Sequence, residues 1–210
     1  MQLRLATKLS AEEYISQRFW ERASLATCPL HPEGGCRLSR HTSYERVHPP
    51  CRVARFRCPT ARVTFSLLPD CLASRLPGTL REVEQSVEQV EHRQGPLDEL
   101  GAEMRPAEQD RDRVQGAVRY LRRRCRGVRA ALTTIVGLLP ERFAGHPPTL
   151  EGFRAALGVA QVLEHLREVA AAHLGGLPPP LGFGPRPSPR RKAVRRLQQE
   201  AGADPPRRPG

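Results

Sequence analysis

No run of 18 apolar residues occurs anywhere in the chain, so nothing in it reads as a membrane-spanning helix. The opening stretch, Met1 to Ser10, passes straight into Glu12 and Glu13 and lacks the apolar core and small-residue cleavage site of a secretory signal. The expected location is the cytoplasm, with no membrane partner. Catalytic motifs are missing too: there is no Gly-rich phosphate loop, no His-Glu-x-x-His and no Gly-x-Ser-x-Gly. The aspartates, Asp70, Asp98, Asp110, Asp112 and Asp204, fall in turns or at helix starts, whereas two-metal strand transfer needs several carboxylates held on one large core. The chain is read as a non-enzyme without a small-molecule substrate. Lysine is nearly absent, Lys8 and Lys192 being the only two, so the basic excess is almost wholly arginine.

The 210 residues are 39% hydrophobic, enough for one modest core but not for two generous ones. The net charge of +12 points to a polyanionic partner, nucleic acid before membrane. That charge is blocked: +6 over residues 1–75, −6 over 76–110, +7 over 111–129, −1 over 130–175 and +6 over 176–210. In a reducing cytoplasm the six cysteines read as metal ligands or buried thiols before disulfides.

Ser10 and Glu13 make a capping box that starts a helix with Tyr14, Ile15, Phe19 and Trp20 on its apolar face. From Cys28 to Leu68 the chain is punctuated by Pro, Gly, Cys and His, with β-prone stretches over 52–58 and 63–67. This predicts a small antiparallel sheet, too small to hold itself without a staple such as a metal. The period then turns helical. Thr79 and Glu82 cap a first helix carrying Leu80, Val83, Val87 and Val90, stopped by Gly95-Pro96. Leu97, Leu100 and Met104 mark a second, closed by Pro106, and Val114, Val118, Leu121, Cys125, Val128, Leu132 and Ile135 a long third, closed by Pro140. A fourth helical region runs from the Thr149 cap to Gly175-Gly176, with a break near Gly158. Residues 176–210, rich in Pro and Arg, have almost nothing to bury and are expected to be disordered.

Two constellations carry chemistry. Cys28, Cys36 and Cys58 are the best three ligands for a tetrahedral zinc, with His31 or Cys51, and behind them His41 and His48, competing for the fourth place. Buried free thiols without metal are the alternative. Cys71 and Cys125 lie on apolar faces and read as packing residues. The three helices over 79–124 have the lengths and connections of a helix-turn-helix unit. On the third, Arg119, Arg122, Arg126 and Arg129 form a stripe that Arg111, Arg113, Arg123 and Arg124 widen, suited to phosphates. Arg52, Arg55 and Arg57 of the sheet region join it. The competing reading is that the acidic first helix, through Glu82, Glu84, Glu88 and Glu91, neutralises this stripe within the molecule.

The segments Cys28-Pro29-Leu30-His31-Pro32-Glu33-Gly34-Gly35-Cys36, Arg40-His41-Thr42-Ser43-Tyr44-Glu45-Arg46, Arg55-Phe56-Arg57-Cys58-Pro59 and Thr64-Phe65-Ser66-Leu67-Leu68-Pro69 resemble a bacterial family associated with insertion sequences. Its members look like an N-terminal zinc ribbon followed by a transposase-type helix-turn-helix, and the resemblance covers about Cys28 to Arg124. It implies DNA association and, as a partner, a transposase. Thr42 replaces a glycine of that pattern, and Arg62 stands where similar proteins keep a second-knuckle His or Cys, which removes a ligand the resemblance would imply.

The expected fold is α+β: an N-terminal helix and zinc-ribbon-like antiparallel sheet over 1–75, a helical domain containing the helix-turn-helix-like unit over 76–175, and a basic disordered tail over 176–210. The expected function is non-catalytic DNA binding by a protein of mobile-element origin. The alternatives are a protein-interaction adaptor that docks through 149–174, and a decayed remnant of a transposase-related gene.

Overall fold

A computed structural model describes residues 1–103 and 111–184. The fold mixes α and β: a four-stranded sheet precedes a set of helices, as the composition of the two halves requires. The sheet contains β1 (Gln2–Leu5), β2 (Ser39–Arg46), β3 (Cys51–Cys58) and β4 (Val63–Pro69) in the order β1-β4-β3-β2. The β2–β3–β4 meander is antiparallel, as expected. The remaining strand departs from that expectation: β1 pairs in parallel with β4, Leu3 opposite Leu67. A parallel partner more than 60 residues away leaves no turn signal in the sequence.

The sheet buries one face beneath α1 (Ala11–Ser16) and the 3₁₀ turn that follows it. Ser10 and Glu13 form the predicted capping box. Fully buried Tyr14 lies 5.7 Å from Trp20, centroid to centroid, and its hydroxyl donates to the Arg52 carbonyl at 2.9 Å. Phe56, Phe65, Leu67 and Leu72 complete this first core.

The second core is helical. It is built around α4 (Arg111–Leu138), whose Val118, Leu121, Val128, Leu132 and Ile135 are buried along one seam, as the spacing predicts. Against it lie α2 (Leu80–Glu91), with the Thr79–Glu82 capping box, and α3 (Leu97–Glu103). The chain then folds back through α5 (Pro140–Phe143), α6 (Leu150–Leu157) and α7 (Val162–Val169). Gly158 ends α6 in the left-handed region at φ 65°, the break anticipated from its position. Phe143 stacks on Phe153 at 4.6 Å. Burial of each such Val, Leu or Phe contributes about 1.5–3 kcal/mol.

The acidic face of α2 is used inside this half. Buried Glu84 accepts from the amides of Val162 (3.0 Å) and Leu163 (2.9 Å), so a carboxylate from α2 caps the N-terminus of α7. Arg154 of α6 pairs with Glu84 at 3.0 Å and also with Glu88.

The stretch expected to begin the disordered tail is packed instead. Leu177 and Leu181 are fully buried, and Phe183 packs against both cores. Ser74 donates through its amide to the Pro180 carbonyl (2.9 Å) and through its hydroxyl to the Gly182 carbonyl (2.6 Å). Any Cβ at Gly182 would overlap the Leu177 carbonyl, so only glycine fits there. The rest of the tail, 185–210, lies outside the described residues. The two halves expected at 1–75 and 76–175 are joined by this returning segment and by Arg167.

Arg167 of α7 is fully buried and donates to five carbonyls: Asp70 (2.8 Å), Leu72 (2.7 Å) and Pro69 (3.3 Å) from the end of β4, and Pro180 (2.8 Å) and Leu181 (3.2 Å) from the returning segment. Burial pulls its pKa down to about 10, which still leaves the guanidinium charged at neutral pH. Replacing Arg167 by Met strands these acceptors and should lower unfolding stability by at least about 3 kcal/mol. Ending the chain at Gly175, which removes Leu177 and Leu181, should cost about as much. Denaturant titration of the two variants beside the wild type measures both, and a drop below about 1 kcal/mol in either would contradict the joint described here.

Candidate metal centre and basic helix face

The sequence Cys28-Pro29-Leu30-His31 folds into a tight turn closed by the His31 amide donating to the Cys28 carbonyl at 3.0 Å. Gly34 and Gly35, at φ 94° and 81°, then reverse the chain and return Cys36 to the same point. Cys58 reaches it from the end of β3, followed by a second turn in which the Ala61 amide donates to Cys58 Sγ at 3.4 Å. The ligand atoms of Cys28, His31, Cys36 and Cys58 all lie within 4.8 Å of one another.

His31 Nδ1 is 3.4 Å from Cys28 Sγ and 3.5 Å from Cys58 Sγ. A tetrahedral zinc with Zn–S near 2.3 Å and Zn–N near 2.0–2.1 Å has S···N edges of roughly 3.5–3.6 Å, so the donors already stand at the spacing a metal needs. Burial opposes ionisation of Cys28, but hydrogen bonds from His31, the Leu30 backbone, Cys36 and Cys58 outweigh it and bring its pKa down to about 7. Cys36 goes the other way, to about 11, through burial and its two thiol neighbours. The Cys28 thiol is thus poised to ionise near neutral pH, while a bound cation would be needed to favour the thiolate at Cys36.

His31 takes the fourth place left open between it and Cys51. Cys51 is buried at the far end of β3, about 23 Å away at about 3.3 Å per residue. His41 is exposed on β2, and His48 Nε2 lies 3.0 Å from Glu82 Oε1. The ligand whose absence Arg62 implied is not needed, because His31 makes the fourth beside Cys28, Cys36 and Cys58, and Arg62 occupies a left-handed turn position at φ 54°, outside the cluster. Cys71 and Cys125 pack against apolar neighbours, as expected.

On α4, Arg119, Arg122, Arg123, Arg126 and Arg129 are exposed. At about 100° per residue they fall within roughly 120° of arc, opposite the buried seam. None of the five forms an ion pair among the described residues. The acidic helix is largely committed elsewhere: Glu84 and Glu88 serve Arg154 and α7, Glu82 serves its own cap and His48, and only Glu91 stands close enough to the stripe to attract one of its members, Arg129. Arg124 leaves the stripe: it is buried and donates to the carbonyls of Glu82 (2.8 Å) and Pro77 (3.0 Å), with its guanidinium over Tyr120. The side chains of Arg111 and Arg113, and residues 104–110, lie outside the described residues. In the sheet, Arg57 is exposed and Arg55 half-buried, while Arg52 is occupied by Glu45 at 2.7 Å.

A set of arginines that the sequence could not single out works inward. Arg4 pairs with Asp70 at 2.8 Å, Arg40 donates to the carbonyls of Ala23 and Trp20, and Arg46 to those of Ala73, Leu76 and Gly78. Comparison with family models, curated proteins and solved structures finds no match for this chain.

The metal site makes a direct prediction. Protein purified without chelator should carry close to one zinc per chain, and Cys58→Ser or Cys36→Ser should lose it, while Cys51→Ser keeps it. Elemental analysis with circular dichroism checks this, and retention of full metal content by Cys36→Ser would remove Cys36 from the ligand set.

Proposed function

We propose that the protein is a non-catalytic DNA-binding protein in which the arginine face of α4 lies along duplex phosphates and a structural zinc at Cys28, His31, Cys36 and Cys58 holds the N-terminal half in shape. The observation that carries this is the exposed arginine face, free of ion pairs among the described residues, in a molecule whose acidic helix is largely committed elsewhere. Exposed guanidinium groups spread over one helical face match a rod of closely spaced phosphates better than an ordinary solvated surface. Three thiolates and an imidazole form a closed four-ligand shell, which suits a structural zinc and leaves no open position for hydrolytic chemistry.

The packing of α2 and α3 on α4 is compatible with the helix-turn-helix reading, in which Arg111 and Arg113 near the helix start would read bases. A mobile-element origin and a transposase partner rest on the resemblance of the Cys28 to Pro69 segments. The adaptor reading finds less support, because Phe153, Val162 and Leu166 are buried in the protein's own core. The remnant reading loses its main argument once the four ligands stand complete without Arg62.

Replacing Arg119, Arg122 and Arg126 together by Ala should weaken duplex binding and reduce the slope of log affinity against log salt by about 0.9 for each phosphate that is no longer neutralised. Fluorescence anisotropy over a salt series reads that slope. Wild-type protein that fails to bind duplex DNA at low salt, or a triple variant with the wild-type slope, overturns the reading.

A further inference from the structure

We propose that the β2–β3 hairpin tip, with Val47 at its apex, is a second arm of the DNA surface, seated in a groove of the duplex beside the phosphates held by α4. This rests on the DNA reading above. Val47 is 93% exposed, against 62% for Met1, 43% for Leu30 and 40% for Leu138, so it protrudes more than any other exposed large apolar residue described. A lone exposed valine on a surface would need no explanation. The way this one is held is what distinguishes it.

The hairpin is clamped at its neck. Arg46 donates to the carbonyls of Leu76 (2.7 Å), Gly78 (3.2 Å) and Ala73 (3.3 Å), and the Gly78 amide donates to the His48 carbonyl at 2.9 Å. The same 75–78 loop is gripped from the other side by α4: Arg124 holds the Pro77 carbonyl, and Arg123 of the exposed face reaches the Arg75 carbonyl at 3.5 Å. Glu82 joins both arms, with its carboxylate 3.0 Å from His48 Nε2 and its carbonyl 2.8 Å from Arg124 Nη1. Gly78 makes the approach possible. At φ 99° it sits where a Cβ would stand 2.7 Å from Glu82 Oε2 and 2.8 Å from Arg124 Nη2. The apex and the arginine face are therefore one rigid unit, and little ordering cost remains for binding.

The chemistry around the apex selects the partner. Arg46 and Arg75 border the tip with their guanidinium groups engaged by the protein, so the phosphate-facing charge comes from α4, whose Arg123 reaches the loop that clamps the tip; the nearby acids, Glu45 and Glu82, are held by Arg52 and His48. A single apolar apex with a proline shoulder, Pro49-Pro50, in a basic setting is too small for a protein interface, which needs a contiguous apolar patch. It fits a duplex groove, where an apolar side chain meets sugars and base edges while arginines hold the neighbouring phosphates.

The test uses the full chain and a fluorescein-labelled random-sequence duplex of roughly 25 base pairs, read by anisotropy over a salt series. Val47→Ser should bind about five- to tenfold more weakly with an unchanged salt slope, because the substitution removes apolar burial and leaves every phosphate neutralised as before. Val47→Glu should bind more weakly still. Exposure at the apex keeps both variants folded, and thermal melts verify it. Wild-type affinity in both Val47 variants, alongside a reduced slope in the Arg119/Arg122/Arg126 triple variant, overturns this proposal and leaves the DNA reading standing. Absence of duplex binding by the wild type overturns both.

Discussion

Everything in this molecule hangs on a guanidinium group that never meets water. Arg167 sits where the end of β4, the start of the loop to α2, the helix α7 and the returning segment 177–184 converge, and it satisfies carbonyls that these irregular stretches cannot pair among themselves. Removing such a charge from water costs several kcal/mol, so the arrangement is stable only because the donors find their acceptors. The constraint propagates outward. Asp70, whose carbonyl Arg167 holds, uses its carboxylate to pair with Arg4 of β1 and to accept from the Thr7 amide at 3.2 Å. The parallel strand β1, the sheet and the helical half are in this way fixed through one polar joint, with Phe183 as its apolar counterpart.

The same residue type serves two opposite purposes. Arg40, Arg46, Arg124, Arg154 and Arg167 turn inward and take the place of missing backbone or carboxylate partners, a task for which a planar group with five donors is suited. Arg119, Arg122, Arg123, Arg126 and Arg129 turn outward and form no ion pair among the described residues. Much of the acidic block over 76–110, which by charge alone nearly balances the basic block that follows it, is spent within the molecule: Glu84 and Glu88 on α7 and Arg154, Glu82 on His48, and Glu99 and Glu103 on Arg93. The positive field on α4 is thereby preserved, although an acidic helix packs directly against it.

The sheet half solves a different problem. Its core is continuous from Tyr14 to Leu72, but the segment between the 3₁₀ turn and β2 has few apolar residues to anchor it. The cluster of Cys28, His31, Cys36 and Cys58 ties that segment to the end of β3, where hydrophobic packing is sparse and a metal would supply the cohesion.

What the sequence determined by itself was whatever depends on residues three or four apart. Both capping boxes, the buried seam of α4, the stop at Gly158 and the thiol knuckle at Cys28 were legible because a helix turn or a tight turn brings near neighbours together whatever the rest of the chain does. Tertiary structure alone decided the choice of His31 over Cys51, the pairing of β1 with β4, the packing of 177–184, and which arginines face inward. These turn on the meeting of residues tens of positions apart. An arginine on a helix carries no local mark of whether a carbonyl or water will lie beside it once the chain has folded.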